Sequence, residues 1–141
     1  MIYLDTNVIV YAIENHPKYG KKCKQILEDI ASEKLKAHCS VLVLAELINV
    51  LTRLNRILRE RREKALDIRH NIDAVLSLPI TWVDLNFAVI RRASEYDYAT
   101  AGADYVHVAT MELDSITKVI SADADFDHVE FIKRIDPLGY K

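Results

Sequence analysis

The chain is poor in residues that break structure or cross-link it, with three glycines, three prolines and two cysteines among 141 residues. So few glycines and prolines leave little material for a flexible linker between domains. They also exclude a glycine-rich phosphate loop and a glycine-flanked nucleophile elbow. Cys23 and Cys39 form no CxxC pair that would hold a structural zinc, and none of the five histidines belongs to an HExxH helix. Isolated thiols of this kind suit a reducing, cytoplasmic setting. Long apolar runs are missing too. The longest, Val41 to Leu51, carries Glu46 and falls far short of the roughly 20 apolar residues that a membrane span needs. No basic leader precedes an apolar core at the N-terminus, so neither a signal peptide nor a membrane partner is expected. The net charge of −2 gives no bulk attraction to nucleic acid, and any such surface must be local.

What is present is a globular composition, 50 % hydrophobic and 28 % charged. The length suits one domain spanning 1–141, with no internal repeat and no low-complexity segment. Short apolar runs alternate with helical periodicity. Strands are expected at Met1–Leu4, Lys36–Cys39, Ile80–Leu85, Thr117–Ser121 and Phe131–Ile135. Helices are expected at Thr6–Glu14, from Pro17 to about Ser32, from a Ser40 cap to Leu54, and at Glu60–Leu78, Phe87–Glu95 and Ala103–Leu113. Such alternation favours a parallel sheet covered by helices, with the strand order left open.

Against this apolar background four carboxylates stand out. The strands IYLD and KVISAD end in Asp5 and Asp123, and ligands of open α/β sheets bind beyond strand carboxyl ends. Glu46 interrupts VLVLAELINVL, and Asp104 opens the helical stretch ADYVHVATMEL. Each acid has a separate local explanation: a helix cap, an ion pair, the helix dipole or a turn. A shared divalent cation accounts for all four together, because it offsets both their desolvation and their mutual repulsion. Oxygen donors without histidine or cysteine clusters favour Mg²⁺ or Mn²⁺.

YLDTNVIVYA, SVLVLAEL, GADYVHVATMEL and VISADADFD, in that order, resemble the four acidic motifs of PIN-domain ribonucleases, and FIKRIDP is similar to the last strand of that family. The resemblance covers nearly the whole chain. It implies a three-layer α/β/α sandwich with a central, mainly parallel sheet of four or five strands. It further implies metal-dependent RNA cleavage with Asp5, Glu46, Asp104 and Asp123 as metal-binding, catalytic acids. Thr6, Asn7 and Ser121 match supporting positions, with serine at 121 where threonine is commoner in the family. Asp125 is placed with them in support, though Asp125 and Asp127 leave open which acid of the last motif faces the metal; Asp123, nearest the strand end, is favoured. Free-standing proteins of this size in the family are mostly toxins of toxin–antitoxin pairs, similar to VapC, which implies a small antitoxin partner and a homodimer. An RNA-processing nuclease outside such pairs, and a non-catalytic RNA-binding or scaffold protein, are the alternatives. An aspartyl phosphatase would need an acid at position 7, which is Asn7, and a receiver domain would need paired acids at the first strand.

Residues 53–69 carry seven basic side chains against three acids. Arg53, Arg56 and Arg59 are the candidates for RNA contact, with Glu46, Asn49 and Arg53 spaced to share one helix face. The competing reading is a solvated helix with Arg59–Glu63 and Glu60–Lys64 pairs, or a protein interface. His107, three residues after Asp104, reads as a packed neighbour of the site in preference to a ligand. Tyr96 and Tyr98 either stack on unpaired bases or pack in the ordinary way.

Overall fold

The computed structural model describes residues 1–98 and 102–141. In chain order the elements are β1 (Ile2–Leu4), α1 (Thr6–Ile13), α2 (Gly20–Ala31), β2 (Ala37–Ser40), α3 (Leu42–Glu60) and α4 (Ile68–Leu76). They continue with β3 (Thr81–Val83), α5 (Phe87–Ala93), α6 (Gly102–Leu113), β4 (Lys118–Ile120) and β5 (Lys133–Ile135). Two short 3₁₀ turns, Ala124–His128 and Pro137–Gly139, follow β4 and β5.

All strand pairings are parallel, in the order β3-β2-β1-β4-β5. The chain starts at the centre of the sheet and builds outward through β2 and β3. It then crosses back to the far side of β1 for β4 and β5. This reversal places the carboxyl ends of β1 and β4 side by side, in register at Leu4↔Ile120. Such a switch point opens a crevice in any α/β sheet, because the flanking connections leave in opposite directions.

Period-two alternation sorts the strands between two cores. Leu4 and Ile120 face a cluster built with Val8, Ile9, Ile26, Val43, Leu47 and Val75, drawn from α1 to α4. Tyr3 and Val119 face the opposite cluster, with Val108 and Met111 of α6 and Phe126. Helix α5 packs on α6 through Val89, Ala93 and Ala109. The result is the expected α/β/α sandwich around a parallel sheet. Fully buried Ile9, Leu47 and Leu51 each contribute about 1.5–3 kcal/mol by leaving water.

Three helices differ from the sequence expectation by more than two residues at an end. The segment after Pro17 begins as a turn, capped by His16, whose Nδ1 accepts from the N–H groups of Lys18 and Tyr19. The α-helix proper starts at Gly20. Helix α3 starts at Leu42 after Ser40, whose Oγ still accepts the Leu42 N–H at 3.1 Å, and it runs on to Glu60 rather than ending at Leu54. The expected helix Glu60–Leu78 shrinks to Ile68–Leu76, because the chain leaves α3 through Arg62 at φ 57°. Asn55 holds the returning loop, donating to Leu66 O at 2.9 Å and accepting from Leu66 N at 2.7 Å. Among the described residues no helix is long and apolar enough to cross a membrane.

Candidate active site

Asp5 leaves β1 at the switch point, 6 % exposed. Its Oδ1 accepts the Thr6 N–H at 2.8 Å, so it does cap α1. Its Oδ2 accepts from the Ser121 hydroxyl at 2.7 Å and from the Asn7 amide at 3.2 Å. Asn7 also donates to Ser121 Oγ at 3.1 Å and accepts the Ala122 N–H at 3.3 Å, which stitches the end of β1 to the loop after β4. Burial still pushes the Asp5 carboxyl up from its ordinary pKa, outweighing the attraction of His107 and the bonds from Ser121 and Thr6.

Glu46 lies in the second turn of α3, just past the carboxyl end of β2. Its Oε1 accepts from the Thr6 hydroxyl at 3.1 Å and from His107 Nε2 at 2.6 Å. Burial alone would raise its pKa, but His107 and Thr6 prevail and hold it below the ordinary value. For His107 the sign is reversed. Burial opposes the imidazolium, yet the bond to Glu46 and the charges of Asp5, Glu46 and Asp104 push its pKa up. With both ring nitrogens hydrogen-bonded within the protein, His107 is a packed neighbour of the site.

Asp104, in the first turn of α6, has a pKa raised from 3.8 to about 6. The causes are burial first, then the charges of Asp123 and Asp5, against a weaker pull from His107. Oxygens of Asp104, Asp123 and Asp125 lie within 4.8 Å of one another. Asp123 is oriented from two sides: its N–H donates to Ser121 Oγ at 2.9 Å, and its Oδ1 accepts the Asp125 N–H at 2.9 Å. Asp5, Glu46, Asp104 and Asp123 line one cavity of about 330 Å³, together with Thr6, Asn7, Val10, Tyr11 and Val50. Among the described residues no lysine or arginine lines it.

The four expected acids therefore share one crevice, but unevenly. Asp104 and Asp123 form a tight triplet with Asp125, which the sequence placed only in support, while Asp5 and Glu46 form another wall. Asp127 is turned away in an ion pair with Arg134, 3.0 Å from its Nε, and Arg134 also bonds Ser121 O and Asp136. Arg134 thus fastens the last acidic loop to the end of β4.

Arg53 and Arg56 are exposed along α3 and line a shallow groove with Asn49 and Thr52; Arg59 is exposed one turn further on. The pairs Arg59–Glu63 and Glu60–Lys64 are absent among the described ion pairs, because the helix ends before either can close. Tyr96 and Tyr98 pack beside Tyr105, and the Tyr96 hydroxyl donates to Glu112 at 2.9 Å. They serve the core, and the rest of their loop lies outside the described residues. Sequence reasoning missed Tyr3, whose hydroxyl meets His107 beneath the site. The available signal was a phenol in an aliphatic strand, since a buried hydroxyl needs a partner.

Comparison with known proteins agrees with this fold. A chain of VapBC2 from Rickettsia felis, solved bound to a DNA fragment from their promoter, superposes with TM-score 0.68 at 20 % identity, over 96 % of this chain and 98 % of that one. VapC20 of Mycobacterium tuberculosis, a sarcin–ricin loop cleaving toxin, gives TM-score 0.71 at 18 % identity, over 94 % and 97 % of the two chains. FitAcB from Neisseria gonorrhoeae gives TM-score 0.59 at 23 % identity, over 99 % and 100 %. A search of the curated proteins found no match. The sequence profile of the PIN domain matches residues 2–132, and the chain belongs to the PIN domain family.

Proposed function

We propose that this protein is a metal-dependent endoribonuclease and the toxin of a toxin–antitoxin pair. The observation that supports this most is the crevice itself: five acids from four parts of the chain converge with no basic side chain among its described lining residues. A site of that charge is costly to build unless a cation balances it. The donor set is all carboxylate oxygen, which fits Mg²⁺ or Mn²⁺. Asp5, Glu46, Asp104 and Asp123 would hold the ion, and Asp125 stands close enough to join them. When bound, such an ion supplies positive charge to a scissile phosphate and acidifies water for attack.

The protein's own part is preorganisation. Ser121 and Asn7 hold Asp5, while Thr6 and His107 hold Glu46, so these two acids are fixed in orientation before an ion arrives. Burial and the charges of Asp123 and Asp5 raise the Asp104 pKa, and a cation beside it would favour its carboxylate form. RNA would be drawn along α3 by Arg53, Arg56 and Arg59, because phosphate contacts supply most of the sequence-independent affinity. The toxin reading draws on the resemblance to VapC20 and to the VapBC assemblies, and with it come a small antitoxin, a homodimer and a cytoplasmic location.

The test is Asp5→Asn. Wild-type protein is expected to be stabilised by Mn²⁺, to cleave RNA and to arrest growth when induced alone. Asp5→Asn should keep its circular dichroism spectrum and lose all three. Loss of cleavage is expected to be roughly 100-fold or more, since removing a ligand costs at least as much as removing its hydrogen-bond partner. Full cleavage by nuclease-free Asp5→Asn would overturn the assignment.

A further inference from the structure

Tyr3 sits in β1, fully buried, directly below the acidic crevice. Its hydroxyl accepts the backbone N–H of Ser40 in the neighbouring strand β2 at 3.2 Å. The same oxygen lies 2.5 Å from Nδ1 of His107, with the two rings edge to face at 5.5 Å between centroids. A buried phenol proton needs an acceptor, and among the described hydrogen bonds of Tyr3 only Nδ1 can serve as one, so the proton points to Nδ1. A neutral His107 must then carry its proton on Nε2, which lies 2.6 Å from Glu46 Oε1. The opposite tautomer would leave the buried Tyr3 proton without a described acceptor and set a nitrogen lone pair against the Glu46 carboxylate. A protonated ring also presents Nε2–H to Glu46, with the Tyr3 oxygen then accepting from Nδ1–H, so the neutral tautomer that Tyr3 disfavours is the one that would repel Glu46.

We propose that Tyr3 is a positioning residue of the site: its hydroxyl sets the His107 tautomer, and through it the orientation of the Glu46 carboxylate. The relay runs Ser40 N–H to Tyr3, Tyr3 to His107, and His107 to Glu46, joining β2, β1, α6 and α3 at the carboxyl ends of the strands. Thr6 donates to the same Glu46 oxygen, so both donors converge on Oε1. Among the described residues no hydrogen bond engages Oε2, the oxygen left to serve as a ligand. This inference rests on Glu46 being a metal ligand. Tyr3 touches neither substrate nor ion; it acts through the imidazole.

Two measurements test it. Imidazole ¹⁵N resonances of the metal-free protein, recorded above the pH at which His107 titrates, should show the Nε2–H tautomer, and Tyr3→Phe should convert this to a mixture. By calorimetry Tyr3→Phe should weaken Mn²⁺ binding roughly tenfold, the lower end for a residue supporting a ligand from behind. In a His107→Ala background the same Tyr3→Phe change should leave Mn²⁺ affinity unmoved. An Nδ1–H tautomer in the wild type, or equal losses of affinity in the two backgrounds, overturns the proposal. The wild-type spectrum decides the tautomer even if Tyr3→Phe fails to fold. Absence of Mn²⁺ binding by the wild type overturns the metal reading instead, and the spectra still settle the link between Tyr3 and His107.

Discussion

The Ser121 hydroxyl donates to Asp5 Oδ2 at 2.7 Å, joining residues 116 positions apart at the meeting point of β1 and β4. Ser121 is fully buried, and its oxygen also accepts from Asn7 and from the Asp123 N–H. One small side chain therefore holds acids on two motifs at once. Ser121→Ala is expected to cost about 1–3 kcal/mol in urea unfolding, because it strands buried donors as well as deleting one bond. It should also weaken Mn²⁺ binding roughly 10–100-fold by calorimetry. Ser121→Thr, which restores the hydroxyl, should recover most of the metal affinity.

Asp104 provides a pH test. Its pKa in the metal-free fold, about 6, lies above the ordinary 3.8, so the fold disfavours the charged form. This group's contribution to stability is therefore fully present below the ordinary value and is lost as pH rises through about 6. A divalent cation reverses the penalty by favouring the carboxylate. The gain in melting temperature on adding Mn²⁺ is expected to be larger at pH 7.5 than at pH 5. An equal gain at both pH values would show that Asp104 does not bind the ion.

Asn55 offers a control away from the crevice. It is 4 % exposed and makes two bonds to the backbone of Leu66, closing the loop between α3 and α4. Asn55→Ala should lower stability by about 1–3 kcal/mol through the unpaired Leu66 backbone. The Mn²⁺-induced shift in melting temperature should be unchanged.

Arg53 and Arg56 test how RNA is held. Both are exposed on α3 beyond the turn that carries Glu46, and charge reversal there should leave the metal site intact. Arg53→Glu with Arg56→Glu is expected to weaken RNA binding for every sequence alike. The slope of log affinity against log salt should fall by roughly one for each phosphate that is no longer neutralised. An unchanged slope would move the RNA path elsewhere on the surface.

The alternation of strands and helices was legible because period-two and period-3.6 apolar patterns are local properties. So were the four acids, since a charge inside an apolar run is anomalous wherever it occurs. The end of α3 was not legible. Helical spacing continues past Glu60, and only the tie between Asn55 and Leu66, with Arg62 in the left-handed region, shows where the chain turns back. That turn also removed the ion pairs that the competing reading of this segment placed at Arg59 and Glu60.

The sequence by itself determined the alternation of strands and helices, and it set Asp5 and Glu46 apart as charges inside apolar runs. Only the tertiary structure decided which acids meet. Asp125 joins Asp104 and Asp123, while Asp127 turns to Arg134, although Asp125 and Asp127 are two residues apart on one short turn. Tyr3 likewise lies in a short apolar strand, and its hydroxyl meets His107 only because that residue arrives from 104 positions away. The reason is physical. Burial pattern follows from each residue's own chemistry and its near neighbours, whereas a shared cation site or a tautomer depends on the order of strands across the sheet. That order is set by long-range packing of both helical layers, which no local stretch encodes.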